Sequence, residues 1–359
     1  MKNLIKTFCI ILLITSCSEQ KNENQVENIN ITFDNIEVID LSKHKNIELN
    51  INNDVQLGSI NNFLYLKDSL YLVKSLNELY CFNNDGSFKN KIGAKGNGPG
   101  EYYEIGSIFL NNDTICVFDN SKKKILYYTP DNTLLFVKDL SSKYNIENDC
   151  FPRAIFPIYD SKYLSANVFR GDHVQMLKYS LLDSDFNCIG NIDGQYLRDG
   201  SFMQKEISLN HNNDIIAWIS HTDTIYCIKK DFNIIKPIYS ITYENNNFAE
   251  IKEPTDNGYD LNMKWASCEG GSSSLMNSIC ENEEYIRFTF TRQNMQKDGF
   301  STYLVKYNKK EKKAKLYELK YENYYIFSSA TYNNNDIIIV AHSKEDKNPL
   351  IITLNDKEL

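Results

Sequence analysis

An all-β fold built from a unit that returns six times is what this 359-residue chain predicts. Three observations carry that reading. Almost nothing beyond the N-terminal segment has the period of a long amphipathic helix. Short runs rich in Tyr, Ile, Val and Phe alternate instead with clusters of Asn, Asp, Gly and Lys, the pattern of strands and turns. A polar turn followed by an apolar strand also recurs along the sequence.

The recurring turn is seen in "LKDSLYLV" at Asp68, "NNDTICVF" at Asp113 and "YDSKYLSA" at Asp160, then in "NNDIIAWI" at Asp214, "ENEEYIRF" at Glu283 and "NNDIIIVA" at Asp336. Each is preceded by another short apolar run. A third follows, such as "LYCFNNDG" or "ILYYTPDN", and then a fourth, such as "SFKNKIG" or "LLFVKDL". Three or four antiparallel strands at a period of roughly 45–55 residues is the arrangement of propeller blades. The expected architecture is therefore a six-bladed β-propeller of four-stranded antiparallel blades. A β-sandwich would use similar strands but has no need of a unit that returns six times. The last unit stops early after "PLIITL", while "ITFDNIEVIDL" (31–41) belongs to no unit. That N-terminal stretch is expected to supply the missing outer strand of the last blade and so remove a free sheet edge.

The first sixteen residues stand outside the fold. Lys2 and Lys6 precede a short apolar run from Phe8 to Ile14, too short to span a bilayer and suited to a secretory signal. Ile14-Thr15-Ser16-Cys17 resembles the bacterial lipoprotein box, which implies cleavage before Cys17 and acylation of its thiol. Residues 17–30 are polar, with too little apolar surface to offset the entropy of ordering, and read as a flexible tether. Ser18 after the cysteine resembles lipoproteins sent on to the outer membrane, facing the periplasm or the surface. The propeller domain is then 31–359, with a long inter-blade insertion at about 243–276.

Net charge is -8, and 24 tyrosines are present. An acidic chain of this kind is not a nucleic-acid binder, which needs a basic face. Of nine cysteines, Cys9 leaves with the signal and Cys17 would carry lipid. The remaining seven cannot all pair with one another, and no C-x-x-C occurs, so neither a disulfide framework nor a zinc ribbon is indicated. Cys81, Cys116 and Cys227 lie in apolar runs and read as small buried hydrophobes.

"KIGAKGNGPGEYYEIG" (91–106) is the densest glycine segment. Its spacing (Gly93, Gly96, Gly98, Gly100) is not a dinucleotide fingerprint, Pro99 and the residues after it make a poor helix start, and no G-K-[ST] follows. A phosphate cradle is excluded. The segment joins the outer strand of the first unit to the inner strand of the second, so it reads as an ordered inter-blade turn lying over one face near the axis. "IGAKGNGPGEY" placed this way resembles the hallmark of six-bladed β-propeller lipoproteins common in anaerobic Gram-negative bacteria, with TolB-like and NHL-type propellers among their relatives. The resemblance implies a fold and a place in the cell envelope, and leaves the biochemical role open. The motif residues are Gly93, Gly96, Gly98, Pro99, Gly100, Glu101 and Tyr102.

No catalytic constellation is nominated. The histidines His44, His173, His211, His221 and His342 lack metal-ligand spacing, and neither a G-x-S-x-G elbow nor a sialidase box is present. "DSDFNCIGNIDG" has Cys188 where a calcium loop requires glycine. No metal and no cofactor are expected. The expected function is a lipid-anchored, non-enzymatic protein, monomeric, that binds a glycan, a peptide or an envelope protein through one propeller face. Tyr102, Tyr259 and Trp265 are the candidate ligand-face residues, with Glu101 expected to cap turn amides or pair with a base. The alternatives are a glycan or peptide hydrolase or lyase using carboxylates in the funnel, and an envelope assembly scaffold.

Overall fold

The computed structural model describes residues 26–359 except 52–54, 56, 59, 67–69, 76, 145–151, 159, 172–173, 193–205, 211, 219–223, 230–234, 245–276, 295–298, 334–335, 346 and 356–358. The chain opens with β1 (Glu27–Ile31), β2 (Glu37–Asp40), a single 3₁₀ turn (Leu41–Lys43) and β3 (Lys45–Glu48). Blade one is β4 (Ile60–Leu66), β5 (Leu70–Ser75), β6 (Glu78–Asn83) and β7 (Phe88–Lys91). A two-residue pair, β8 (Ala94–Lys95) and β9 (Glu101–Tyr102), precedes blade two, which is β10 (Ile105–Asn111), β11 (Thr114–Asp119), β12 (Lys124–Tyr128) and β13 (Leu134–Asp139). Blade three comprises β14 (Pro152–Pro157), β15 (Tyr163–Gly171), β16 (Val174–Leu182) and β17 (Cys188–Ile192). Blade four is β18 (Glu206–Leu209), β19 (Ile215–Trp218), β20 (Thr224–Ile228) and β21 (Ile235–Tyr243). Blade five is β22 (Asn277–Glu281), β23 (Tyr285–Asn294), β24 (Gly299–Asn308) and β25 (Lys313–Lys320). Blade six is β26 (Tyr324–Asn333), β27 (Asp336–Ser343) and β28 (Leu350–Asn355), completed by β3.

The protein is thus an all-β, six-bladed propeller. First strands of neighbouring blades touch around the axis, β10 against β14 and β4, and β22 against β18 and β26. The middle strands are buried on both sides, because each sheet is sandwiched between its neighbours. β11 (TICVFD) is buried from Ile115 to Asp119, which is why it reads as a continuous apolar run rather than an alternating one. The recurring Asp and Glu positions fall where they were expected. Asp113, Asp160, Asp214 and Glu283 sit in or next to the turn between first and second strands, and Asp336 begins β27. Asp68 lies outside the described residues. Asn112, Asp160 and Asn213 adopt positive φ in these turns (53°, 51° and 61°), a conformation that Asn and Asp tolerate best after glycine.

The ring is closed by an N-terminal strand, but not by the stretch expected. β3 pairs antiparallel with β28 (Leu350↔Glu48, Ile352↔Asn46). The 31–41 stretch instead supplies the end of β1 and all of β2, which add as fifth strands parallel to β21 and β25 (Ile29↔Ile241, Val38↔Glu318). Closure needs a strand antiparallel to β28, and β3 fits with Ile47 buried beside Ile351. Ile29 and Ile31 are sealed among blade-four and blade-five residues. Glu27 to Asn30 were expected in the tether and are part of this strand. The N-terminal segment therefore runs as a belt along the outer edges of blades four, five and six, ending with an Asn50↔Ser87 bridge to blade one.

Candidate functional site

Because each blade is an antiparallel meander, turns between second and third strands share one face of the ring with the links between blades. The glycine segment is the link from blade one to blade two. Its partners show where it lies. Gly93 N–H donates to Asn132 Oδ1 (2.6 Å), the Tyr128 hydroxyl to Gly100 O (2.7 Å), and Lys124 Nζ to Glu101 O (2.8 Å). Lys122 Nζ also bonds Gly96 O. The segment is therefore bound to the third and fourth strands of blade two and their turns. It does not lie near the axis, as the sequence reading placed it. Outer strands of a twisted sheet swing across the flank of the next blade, and the link follows that flank before turning inward to β10.

Within the segment the glycines are required by close approach. Gly93 has φ +64°, and a Cβ there would sit 2.7 Å from the Tyr102 ring and 2.7 Å from the Tyr128 hydroxyl. A Cβ on Gly96 would sit 2.0 Å from the Glu101 carboxylate, which occupies that space to accept the Gly98 N–H (2.7 Å). Gly96 N–H donates to Tyr102 O (2.9 Å), closing the small parallel pair of β8 and β9.

Tyr102 is fully buried, packed with Leu79, Ile92, Ile105 and Tyr128 between the blades. Its hydroxyl donates to Ile92 O (3.1 Å) and accepts from Leu79 N–H (3.4 Å). It was expected on a ligand face, and the structure turns it into the core instead, since an aromatic residue in a strand between two sheets is drawn to the apolar side. Burial pushes the Tyr128 phenol up to about 12 and raises that of Tyr102 further.

The sequence reading missed the hub of this junction. Asp119, at the end of β11, is fully buried and accepts four backbone N–H groups: Tyr103 (2.7 Å), Glu104 (3.4 Å), Ser121 (3.1 Å) and Lys122 (3.1 Å). Asn77 of blade one donates to Tyr103 O (2.6 Å) and accepts from Ile105 N–H (2.8 Å). Lys74 donates to Ile105 O (2.7 Å), and desolvation lowers its pKa while Glu104 opposes the fall. The "DNSK" following an apolar strand was the available signal, since Asp two residues before Ser is an Asx-turn pattern.

A second polar cluster pins blades four and five near the opposite face. Glu281, nearly buried, accepts from the Tyr239 hydroxyl (3.0 Å), Lys309 Nζ (3.0 Å) and Asn210 Nδ2 (3.4 Å). Burial first, and then the Glu281 charge, raises the Tyr239 pKa. Across the axis, the Ser107 hydroxyl donates to Ile155 O (2.8 Å) and accepts from Ile155 N–H (2.9 Å), joining the inner strands of blades two and three.

Among the described residues no group of three or more His, Cys, Asp or Glu side chains is placed to hold a metal ion. Asp183 Oδ1 accepts the N–H groups of Asp185 and Asn187 (2.9 and 2.8 Å), so the "DSDFN" turn is closed on itself. His342 is partly buried and desolvation lowers its pKa. Cys81, Cys116 and Cys227 are buried free thiols, while Cys188 is exposed. Cys17, Tyr259, Trp265, His173, His211 and His221 lie outside the described residues, as does most of the long link between blades four and five. No helix among the described residues is long and apolar enough to cross a membrane.

The sequence matches the family described as Domain of unknown function (DUF4934) over residues 21–358, and the chain belongs to that family. Solved structures that share its fold include two from Bacteroides. One, from Bacteroides fragilis and described as an exported protein, is 17% identical with a TM-score of 0.65, over 91% of this chain and 99% of that one. The other, a member of the DUF4221 family from Bacteroides vulgatus, is 11% identical with a TM-score of 0.55, over 86% of this chain and 95% of that one. No curated protein matches this sequence.

Proposed function

We propose that this member of the DUF4934 family is an exported, lipid-anchored envelope protein that binds a glycan, peptide or envelope protein without catalysing a reaction. The observation that carries the reading is the length of one link on the linking face. The link between blades one and two is consumed by contacts inside the chain. The link between blades four and five occupies residues 244–276 and carries Tyr259 and Trp265 on a sequence far longer than the usual connection. Long links on a propeller face are where loops from several blades gather around a ligand, and aromatic side chains suit stacking on sugars or peptide side chains. The anchor reading rests on Ile14-Thr15-Ser16-Cys17, and a B. fragilis structural relative described as exported is in keeping with it.

A glycan and peptide array probed with the wild-type chain and with Tyr259→Ala and Trp265→Ala tests the binding role. Binding to one class, reduced about tenfold or more by either change, is the expected result; tenfold corresponds to about 1.4 kcal/mol. Binding to no class, or binding indifferent to both substitutions, overturns it. Fatty-acid labelling of the wild type, abolished by Cys17→Ser, is the expected signature of the anchor.

A further inference from the structure

Asn97–Gly98, in the link between blades one and two, is an Asn-Gly pair, and the sequence holds one more at Asn257–Gly258, outside the described residues. Such a pair is chemically labile. Glycine has no Cβ to obstruct an approach and its backbone turns freely, so the Gly98 nitrogen can reach the Asn97 side-chain carbonyl carbon. Hydroxide takes the Gly98 N–H proton, and the nitrogen's electron pair forms a bond to that carbon, closing a succinimide ring. The C–N bond of the side-chain amide breaks, and its nitrogen leaves as ammonia with a proton from water. Water then opens the ring at either carbonyl, which yields an aspartyl or an isoaspartyl linkage.

The structure leaves one reacting group open and ties down the other. Asn97 is exposed. Gly98 is bonded on both sides: its N–H donates to Glu101 Oε2 (2.7 Å), and its carbonyl accepts from Glu101 N–H (3.1 Å). Gly96, just before Asn97, donates to Tyr102 O (2.9 Å) and accepts from Lys122 Nζ. An N–H bonded to a carboxylate resists deprotonation, because the anion left behind would face the carboxylate charge at hydrogen-bond distance. Attack on Asn97 also requires that bond to be broken. Asp85–Gly86, a described pair able to cyclise by the same route, has its glycine N–H taken as well, by Asn83 O (2.9 Å).

We infer that Asn97–Gly98 is a spontaneous deamidation site that the Glu101 carboxylate holds closed while the link is docked on blade two. Glu101 is kept in place by its own neighbours, since Tyr102 is buried and Lys124 Nζ donates to Glu101 O (2.8 Å). Release of the link therefore frees the Gly98 N–H beside an exposed Asn97. The reaction is one-way. An isoaspartyl linkage lengthens the backbone between Gly96 and Gly98, and either product places a new carboxylate close to Glu101. The β8–β9 pair then does not re-form as before, and the link keeps a covalent record of the opening.

Peptide mapping by mass spectrometry, on the full chain incubated in mildly alkaline buffer with mild detergent, tests the inference. Incubation is kept below the melting temperature of each variant. Deamidation at Asn97, measured against Asn257 in the same molecule, is expected to rise about tenfold or more in Glu101→Ala, a factor that one charge-assisted hydrogen bond can hold back. Glu101→Gln, which keeps an acceptor oxygen without the charge, is expected to fall between Glu101→Ala and the wild type, and it decides the matter if Glu101→Ala does not fold. Wild type unfolded in urea is expected to deamidate at Asn97 at least about tenfold faster than folded wild type. The inference is overturned by folded variants that leave Asn97 at the wild-type rate. It is equally overturned by a folded wild type that deamidates there as fast as the unfolded chain.

Discussion

Two junctions between blades are held by different sets of described contacts. Between blades one and two, a short glycine-rich link is bound by backbone groups, two lysines and the buried Asp119 carboxylate, and every motif glycine is crowded by a neighbour. Between blades four and five the described anchoring uses other groups. The Tyr239–Glu281–Lys309 cluster sits near the opposite face, and β1 is laid across the outer edge with Glu27 bonded to Tyr307. Phe33 receives the Arg292 guanidinium at 3.6 Å and donates its N–H to Glu244. The first junction uses its link as the fastener and so fixes it. The second is fastened, among the described residues, by the cluster, by β1 and by the first residue of its link, Glu244.

That contrast can be broken at either junction. Gly93→Ala carries the largest expected effect. Positive φ costs about 1–2 kcal/mol for a residue with a Cβ, and crowding two buried tyrosines adds about 1–3 kcal/mol. A denaturant titration should show a loss of about 3 kcal/mol, and a loss below 1 would mean that the link is not a fastener. Glu281→Gln comes next, at about 1–2 kcal/mol, because it leaves Lys309 and Tyr239 without their shared carboxylate. The same titration measures it, and no change would mean that β1 alone holds the second junction.

The smallest and most general effect is alkaline. Tyr128 at the first junction and Tyr239 at the second both hold their protons more tightly folded than unfolded. A raised phenol pKa contributes stability that is complete below the unfolded value near 10 and is lost as pH rises through the folded value, about 12 for Tyr128. Melting temperature should therefore be insensitive to these tyrosines at neutral pH and fall above about pH 10. Glu281→Gln should move the Tyr239 titration down toward its burial-limited value and leave Tyr128 unmoved; a shift in both would couple the two junctions.

The strand-and-turn unit was legible because local chemistry writes it. Asn and Asp favour the tight turn at each first hairpin, and the runs after them are apolar on both sides because blades stack on both sides. The glycine segment was legible as an ordered turn for the same local reason. Its position was not, since Tyr128, Lys122, Lys124 and Asn132 are brought to it by the twist of blade two rather than by proximity in sequence. The belt was half legible. The stretch from Ile31 read as an edge strand, but Ile29 was assigned to the tether, and local sequence does not say which sheet edge receives a strand; that of β1 is blade four.

Closure by β3 has a consequence in time. Glu48 waits for Leu350, and the Glu48 carboxylate for Asn348, a separation of 300 positions along the chain. Blades assembled from neighbouring hairpins can form early, whereas the seam can form only when almost the entire chain is present. Contacts of such long reach form slowly. Until the seam closes, β28 and the strands the belt will cover remain open edges. The interval before closure is when this protein is most exposed to pairing with the wrong chain, and its length is set by the last blade rather than the first.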